Sequence, residues 1–296
     1  MRRIEEMEAS GTAVYYNDMF SGFSSQYAAY LPLKTVLRMR FSILASGSGG
    51  NAFYVETDCA RILIDAGLSC REIERRLEKV GVEAKGLDAL VITHEHIDHI
   101  RGAGPLARRF GVPIYINRKT YEKGVKFLGD IASTMIVQTG QAIEIHDLTI
   151  KTFTKCHDAV DPFGIVLSCN GVSIGLATDL GRSTGLVEDS LKGCNALVME
   201  FNYDPIMLRQ GPYPLDVKRR IEGQDGHLSN QQAGNLLRAV SHEKLKILVL
   251  AHLSKTNNHP GKAYKAAADI LEHCGLRGIK ILTGDQDEPG PLIELV

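Results

Sequence analysis

The chain has 296 residues, 34 Lys and Arg against 35 Asp and Glu, a formal charge of -1, and 44% hydrophobic and 23% charged residues. These values exclude a mostly disordered chain, a collagen-like one, and a protein held on nucleic acid by bulk positive charge. They fit one large domain, or two at most, whose core needs neither disulfide nor structural metal, so a metal constellation here reads as functional.

Residues 1–38 stand apart. AVYYNDMFSGFSSQYAAY is rich in Tyr and Ser without a hydrophobic period, and the segment reads as a peripheral N-terminal extension, either flexible or translated from an upstream start. From Met39 onward, short apolar strands alternate with amphipathic helices. Strands are predicted at Phe41–Ala45, Ala52–Glu56, Arg61–Asp65 and Ala89–Thr93, with a turn over Ser46–Asn51 and a helix over Cys70–Val80. A helix around Gly102–Phe110 and a strand at Pro113–Asn117 follow. Ala142–Phe153 and Gly164–Ala177 read as hairpin strands, the second pair joined at Asn170-Gly171. Then come a buried strand at Ala196–Phe201, helices near Pro205–Gln210, Pro214–Ile221 and Asn230–Val240, a strand at Lys246–Ala251, a helix at Gly261–His273 and a strand at Ile279–Thr283. The mixture predicts an α/β fold with two sheets or one large one.

The six cysteines form no CxxC pair and read as buried thiols of a reducing compartment. No apolar run approaches the roughly 20 residues that span a bilayer, and MRRIEEMEASG lacks the apolar core of a secretory signal. The expected location is the cytoplasm, with no membrane partner.

The informative segment is Thr93-His94-Glu95-His96-Ile97-Asp98-His99, which directly follows a Leu-Val-Ile strand. His94 and His96 are two apart, so an extended loop projects them the same way. Asp98 and His99 fall where the chain turns into a helix and can face a second point nearby. A surface loop that merely happens to hold these histidines is the bland alternative, but such clustering after a buried strand has no packing use. Imidazole and carboxylate ligands suit zinc, manganese or iron. Further ligand types stand at the ends of apolar runs: His157, Asp179 and His252. The remaining histidines, His146, His242, His259 and His273, fall at turns or exposed helix positions and read as structural or solvent-facing, with His259 nearest the ligand loop.

From about Met39 to the C-terminus the sequence resembles the metallo-β-lactamase superfamily, whose HxHxDH motif stands as His94, His96, Asp98 and His99. The resemblance implies an αββα sandwich over residues 39–296, with a two-metal site at one edge. It assigns His94, His96 and His157 to one metal, and Asp98, His99 and His252 to the other, with Asp179 bridging. It gives Asp65 the role of orienting the HxHxDH loop. True β-lactamases of this fold are secreted and carry a cysteine where Asp179 stands; this chain has neither feature. Glyoxalase-II-type thioesterases share the HxHxDH motif.

Glu200, at the end of Leu197–Glu200, and His227, in Gly226–Asn230, resemble a motif pair of tRNase Z-like phosphodiesterases. Carried over, His227 is the general acid and Glu200 its partner; the structural alternative is a surface acid and a helix-start residue. SGSGGN (46–51), IDAGLS (64–69), GPYP (211–214), KRRI (218–221), GHLSN (226–230) and AHLSKTNNHP (251–260) resemble the YycJ (WalJ) family of metallohydrolases. Tyr203 departs from that pattern, where a histidine is expected, and residues 1–38 have no counterpart in it. The stretch from Asp179 to His252 is too short for a β-CASP insert, and that from His157 to Asp179 too short for the tRNA-gripping arm of tRNase Z.

The implied function is a metal-dependent phosphodiesterase or nuclease, exodeoxyribonuclease-like, acting through a metal-bridging hydroxide with nucleic acid as substrate. Lys218, Arg219, Arg220 and Lys255 are candidates for holding flanking phosphates, as are Ser46, Ser48 and Asn51 in the glycine-rich turn; a solvated helix face and a tight β-turn are the plain alternatives. Competing functions are hydrolysis of a small ester, thioester or cyclic phosphate, and a non-enzymatic scaffold that keeps its metal site for stability.

Overall fold

The structure is a computed structural model, and it describes residues 39–295. The expectation for residues 1–38 lies outside the described residues.

The first sheet contains β1 (Met39–Ala45), β2 (Ala52–Glu56), β3 (Arg61–Ile64), β4 (Ala89–Ile92), β5 (Ile114–Asn117), β6 (Thr134–Val137) and the C-terminal β14 (Ile293–Leu295), in the order β14-β1-β2-β3-β4-β5-β6. The second contains β7 (Ala142–Ile145), β8 (Leu148–Thr154), β9 (Phe163–Cys169), β10 (Val172–Ala177), β11 (Ala196–Glu200), β12 (Ile247–Ala251) and β13 (Lys280–Thr283), ordered β13-β12-β11-β10-β9-β8-β7. Two sheets, not one large one, therefore carry the fold. The helices are α1 (Cys70–Lys79), α2 (Ile97–Ile100), α3 (Ala103–Phe110), α4 (Arg118–Leu128), α5 (Gly185–Leu191), α6 (Pro205–Gln210), α7 (Leu215–Glu222), α8 (Asn230–Val240) and α9 (Pro260–His273).

Strand alternation explains the layering. In β4, Ala89 and Val91 join the core between the sheets, while Leu90 and Ile92 pack with α1, α3 and α4 residues such as Leu77, Leu106 and Leu128. In β12, Ile247 and Val249 face the inter-sheet core, while Leu248 and Leu250 pack with Leu236 and Leu237 of α8 and Ala267 of α9. Both faces of the central strands are covered, so they read as unbroken apolar runs without polar alternation. The result is the expected αββα sandwich.

Several elements differ from expectation. α4, α5, β6 and β14 were not anticipated. β6 exposes Met135 and Ile136 and β14 is three residues long, so neither carries a strong periodic signal. The expected helix at Gly102–Phe110 is preceded by a separate turn, α2, that carries Asp98 and His99. Nor are the cysteines uniformly buried: all six are free, and Cys59 and Cys274 are exposed. No helix among the described residues is long and apolar enough to cross a membrane.

β3, β4 and β5 run parallel, as do β10, β11 and β12, while β8 is antiparallel to β9 and β9 to β10. The C-terminal ends of β8, β10, β11 and β12 therefore share one edge, where loops leaving the strands can converge.

Candidate metal centre

Asp65, Asp179 and His252 follow the ends of β3, β10 and β12, and all three have left-handed backbone, with φ of 59, 53 and 55°. Non-glycine residues adopt this region at a cost, and such conformations concentrate at functional sites. At His252 the strained turn is pinned by its N–H, which donates to Ser46 Oγ at 2.7 Å.

Asp65 organises the HxHxDH loop. Its Oδ1 accepts the Thr93 N–H at 2.8 Å, and its Oδ2 accepts the Thr93 hydroxyl at 2.9 Å and His99 Nδ1–H at 2.7 Å. The Thr93 oxygen can then accept His94 Nδ1–H at 3.0 Å. These partners engage Nδ1 of both His94 and His99 and turn Nε2 toward the site. His96 Nε2 donates to Asp158 O at 3.2 Å, leaving Nδ1; His157 Nδ1 donates to Gly226 O at 3.3 Å, leaving Nε2. His252 Nδ1 lies 2.9 Å from Glu200 Oε1, again leaving Nε2.

Among the described residues, candidate ligand atoms meet in three groups, one of which joins Asp179, Glu200, His227 and His252. Ligand atoms of His94, His96 and His157 lie within 4.8 Å of one another, as do those of Asp98, His99, Asp179 and His252. His96 Nδ1 and His157 Nε2 face each other at 3.2 Å, an arrangement that a cation between them would relieve. His94 Nε2, His252 Nε2 and Asp179 Oδ2 are buried without a hydrogen-bond partner. Orphaned buried polar atoms are costly, and three of them converging among imidazoles and carboxylates fit divalent metal ions. His94, His96 and His157 would hold an ion at the first group, and Asp98, His99, Asp179 and His252 at the second; Asp179 Oδ1 also lies 3.9 Å from His157 Nε2.

Electrostatics follow from this crowding. Burial lowers His94 well below the usual histidine range and brings His157 down to about 4. Burial also opposes charge on His99 and His252, but Asp179 and neighbouring carboxylates outweigh it, lifting His99 to about 10 and His252 well above its ordinary value. Asp179 is itself held well below the carboxylate range: burial works against this, and His252 and His99 overcome it. Lys155, which the sequence reading passed over, is buried and donates to Thr178 O, next to Asp179, at 2.6 Å. A lone lysine between Thr154 and Cys156 at a strand end gave no sequence signal.

Glu200 is fully buried and saturated. Its Oε2 accepts the N–H groups of Leu180 and Leu228 at 2.8 and 3.1 Å, and its Oε1 lies 2.8 Å from His227 Nδ1. The surface-acid alternative is excluded by this burial. His227 keeps Nε2 free and lines a cavity of about 330 Å³ together with His96, Asp98, His157, Asp179 and His252.

The phosphate candidates divide. Ser48 and Arg220 line the cavity. Ser46 and Asn51 are buried and committed inward: Ser46 holds the His252 backbone, and Asn51 Oδ1 accepts the Gly47 N–H at 2.9 Å while its amide nitrogen lies 2.9 Å from His99 Nε2. Lys218 donates to Arg209 O, and Lys255 pairs with Asp287 at 2.6 Å; these two and Arg219 lie outside the cavity lining. Arg220 pairs with Asp158 at 2.6 Å, a residue the sequence reading did not single out. His259 caps α9 by accepting the Gly261 N–H, so it is structural, and Tyr203 is buried in place of the expected histidine.

A two-sheet sandwich with His/Asp clusters at one edge defines a metal-binding hydrolase fold. Residues 45–252 match the model of the metallo-beta-lactamase superfamily. The chain is 36% identical over 239 residues to exodeoxyribonuclease YycJ of Bacillus anthracis, covering 80% of this chain and 90% of that protein. It is 36% identical over 267 residues to exodeoxyribonuclease WalJ of Streptococcus pneumoniae, covering 86% of this chain and 98% of the other. Among solved structures it is similar to the metallo-beta-lactamase fold protein YhfI of Bacillus subtilis, with a TM-score of 0.68 at 18% identity, over 88% of this chain and 100% of that one. The chain belongs to the metallo-β-lactamase superfamily and, within it, to the YycJ/WalJ family.

Proposed function

We propose that this chain is a two-metal phosphodiesterase that degrades nucleic acid strands, DNA foremost. The observation that carries the reading is the Glu200–His227 pair beside the two ligand clusters: an imidazole backed by a buried carboxylate, with its second nitrogen free at the cavity that the ligand residues also line. The near full-length similarity to two exodeoxyribonucleases supports the choice of substrate. Zinc or manganese suits the donor set, with iron also compatible.

Divalent ions bound at the two clusters would supply Lewis acidity toward a phosphoryl oxygen and toward the water that attacks it. The chain's own residues do the rest. Asp65, Thr93, Asp158, Gly226 and Glu200 fix which ring nitrogen of each ligand histidine is presented. Glu200 orients His227 through Nδ1, and His227 and His252 together hold the Glu200 carboxyl down at about 2 although burial opposes this. His227 then delivers its proton from Nε2 to the leaving alkoxide, which matters because an alkoxide is a poor leaving group. Arg220, at the cavity rim, is placed to hold a flanking phosphate once it parts from Asp158.

The test offers the metal-loaded protein end-labelled duplex DNA, single-stranded DNA, RNA and a chromogenic diester. Metal-dependent shortening of DNA that disappears in Asp98→Ala is expected. Intact strands with wild-type protein, or a rate unchanged in Asp98→Ala, would overturn the reading.

A further inference from the structure

Arg220 apart, the GPYP segment and the helix after it are a signature that the metal chemistry leaves unused. α7 buries none of its residues, so it is not held in place to build core. Its residues Val217 and Ile221, four apart and hence on one face, line the metal-site cavity, as does Tyr213 just before it. Leu253, next to the ligand His252, adds to the same lining. A phosphate needs cations and N–H donors, and an aromatic and aliphatic wall gives it nothing. Such a wall suits a flat, weakly hydrated heterocycle.

Tyr213 is also presented in a restricted conformation. Pro212 and Pro214 flank it, which limits the backbone on both sides, and its hydroxyl reaches Thr256 Oγ1 at 3.4 Å. An aromatic ring held this way loses little entropy when a partner stacks on it. The cavity, about 330 Å³, is at the small end of ligand-site volumes and suits a single nucleotide unit.

We infer that Tyr213, with Val217 and Ile221 beside it, is the platform on which one nucleobase of the substrate strand stacks next to the scissile phosphate; this rests on the phosphodiesterase reading above. Because every base has a π-face, the contact selects nucleoside-bearing strands over small diesters without strong sequence preference.

The experiment uses the metal-loaded full chain and end-labelled single-stranded DNA in which one abasic residue is moved through successive positions. One position is expected at which loss of the base raises KM about 5- to 100-fold for the wild type. Tyr213→Ala is expected to raise KM on the normal strand by a similar factor and to close the gap between normal and abasic strands at that position alone. Tyr213→Phe, which keeps the ring, restores the gap and reports that the loop is intact. If strands are cut but no position is sensitive, or the gap survives in Tyr213→Ala, the stacking platform is refuted while the nuclease reading stands. Failure to cut any strand removes the phosphodiesterase reading and this inference with it.

Discussion

Glu200 and His252 are joined by a contact of 2.9 Å between Oε1 and Nδ1, and the same oxygen lies 2.8 Å from His227 Nδ1. One carboxylate therefore orients both a metal-ligand candidate and the general-acid candidate, whose rings stand 5.1 Å apart. Glu200→Gln should impair two functions at once. Metal affinity is expected to fall about 10- to 100-fold, and kcat to fall further than the metal loss accounts for. Metal titration and single-turnover rates at saturating metal separate the two effects.

His227→Ala should leave metal content unchanged: neither the His94, His96, His157 group nor the Asp98, His99, Asp179, His252 group includes it, and in the group that does, its Nδ1 is taken up by Glu200. The expected loss in kcat is about 100- to 10,000-fold on DNA, the range for general acid catalysis. On a diester with a p-nitrophenolate leaving group the loss should be much smaller, since that group departs without a proton. Equal losses on both substrates would contradict the general-acid assignment.

Asp65→Asn should lower metal affinity about 10- to 100-fold while leaving the protein folded. Its Oδ2 accepts both the Thr93 hydroxyl and His99 Nδ1–H, and an amide at that atom cannot accept both reliably. Metal analysis after dialysis, with circular dichroism as the folding control, checks this.

Metal uptake should release protons. In the metal-free protein His99 is raised to about 10 and His252 lies well above the histidine range, so both are protonated at neutral pH, whereas ligation needs neutral rings. Binding at neutral pH is expected to release about two protons and to tighten as pH rises. Calorimetry in buffers of different ionisation enthalpy measures this. Because these folded-state values exceed the unfolded value of about 6.5, their contribution to metal-free stability is complete below that pH. It is lost as pH rises through about 10 for His99, which a melting series on the metal-free protein would detect.

Gly67→Ala should be severely destabilising, by more than about 4 kcal/mol. An added Cβ would stand 1.7 Å from the Asp98 carbonyl oxygen and 2.6 Å from the Asn51 nitrogen, both backbone atoms. The glycine of IDAGLS is thus what allows that loop to lie against the HxHxDH loop. A chemical-denaturation midpoint near wild type would contradict this.

Much of the candidate site was legible because metal ligation demands particular side chains at particular strand ends. His94, His96, Asp98, His99, His157, Asp179 and His252 announce themselves as polar residues where apolar runs stop. The basic candidates were not legible in this way. Arg220 and its neighbours Lys218 and Arg219 share one charge run, and only the turn of α7 decides that Arg220 reaches the cavity. Ser46 and Asn51 looked like phosphate donors in a glycine-rich turn, yet their partners come from His252 and His99, far along the chain.

Composition, strand-end residue types and the family resemblance determined an α/β chain with charge too balanced for bulk nucleic-acid binding and seven candidate metal ligands, because those features depend on residue identity and local order. Tertiary structure decided what each ring nitrogen faces, that one buried Glu200 serves two histidines, that Lys155 is buried with its ammonium on Thr178 O, and that Tyr213 joins the metal cavity. These depend on contacts between segments tens to hundreds of residues apart, which only the packing of two sheets face to face brings within hydrogen-bond reach.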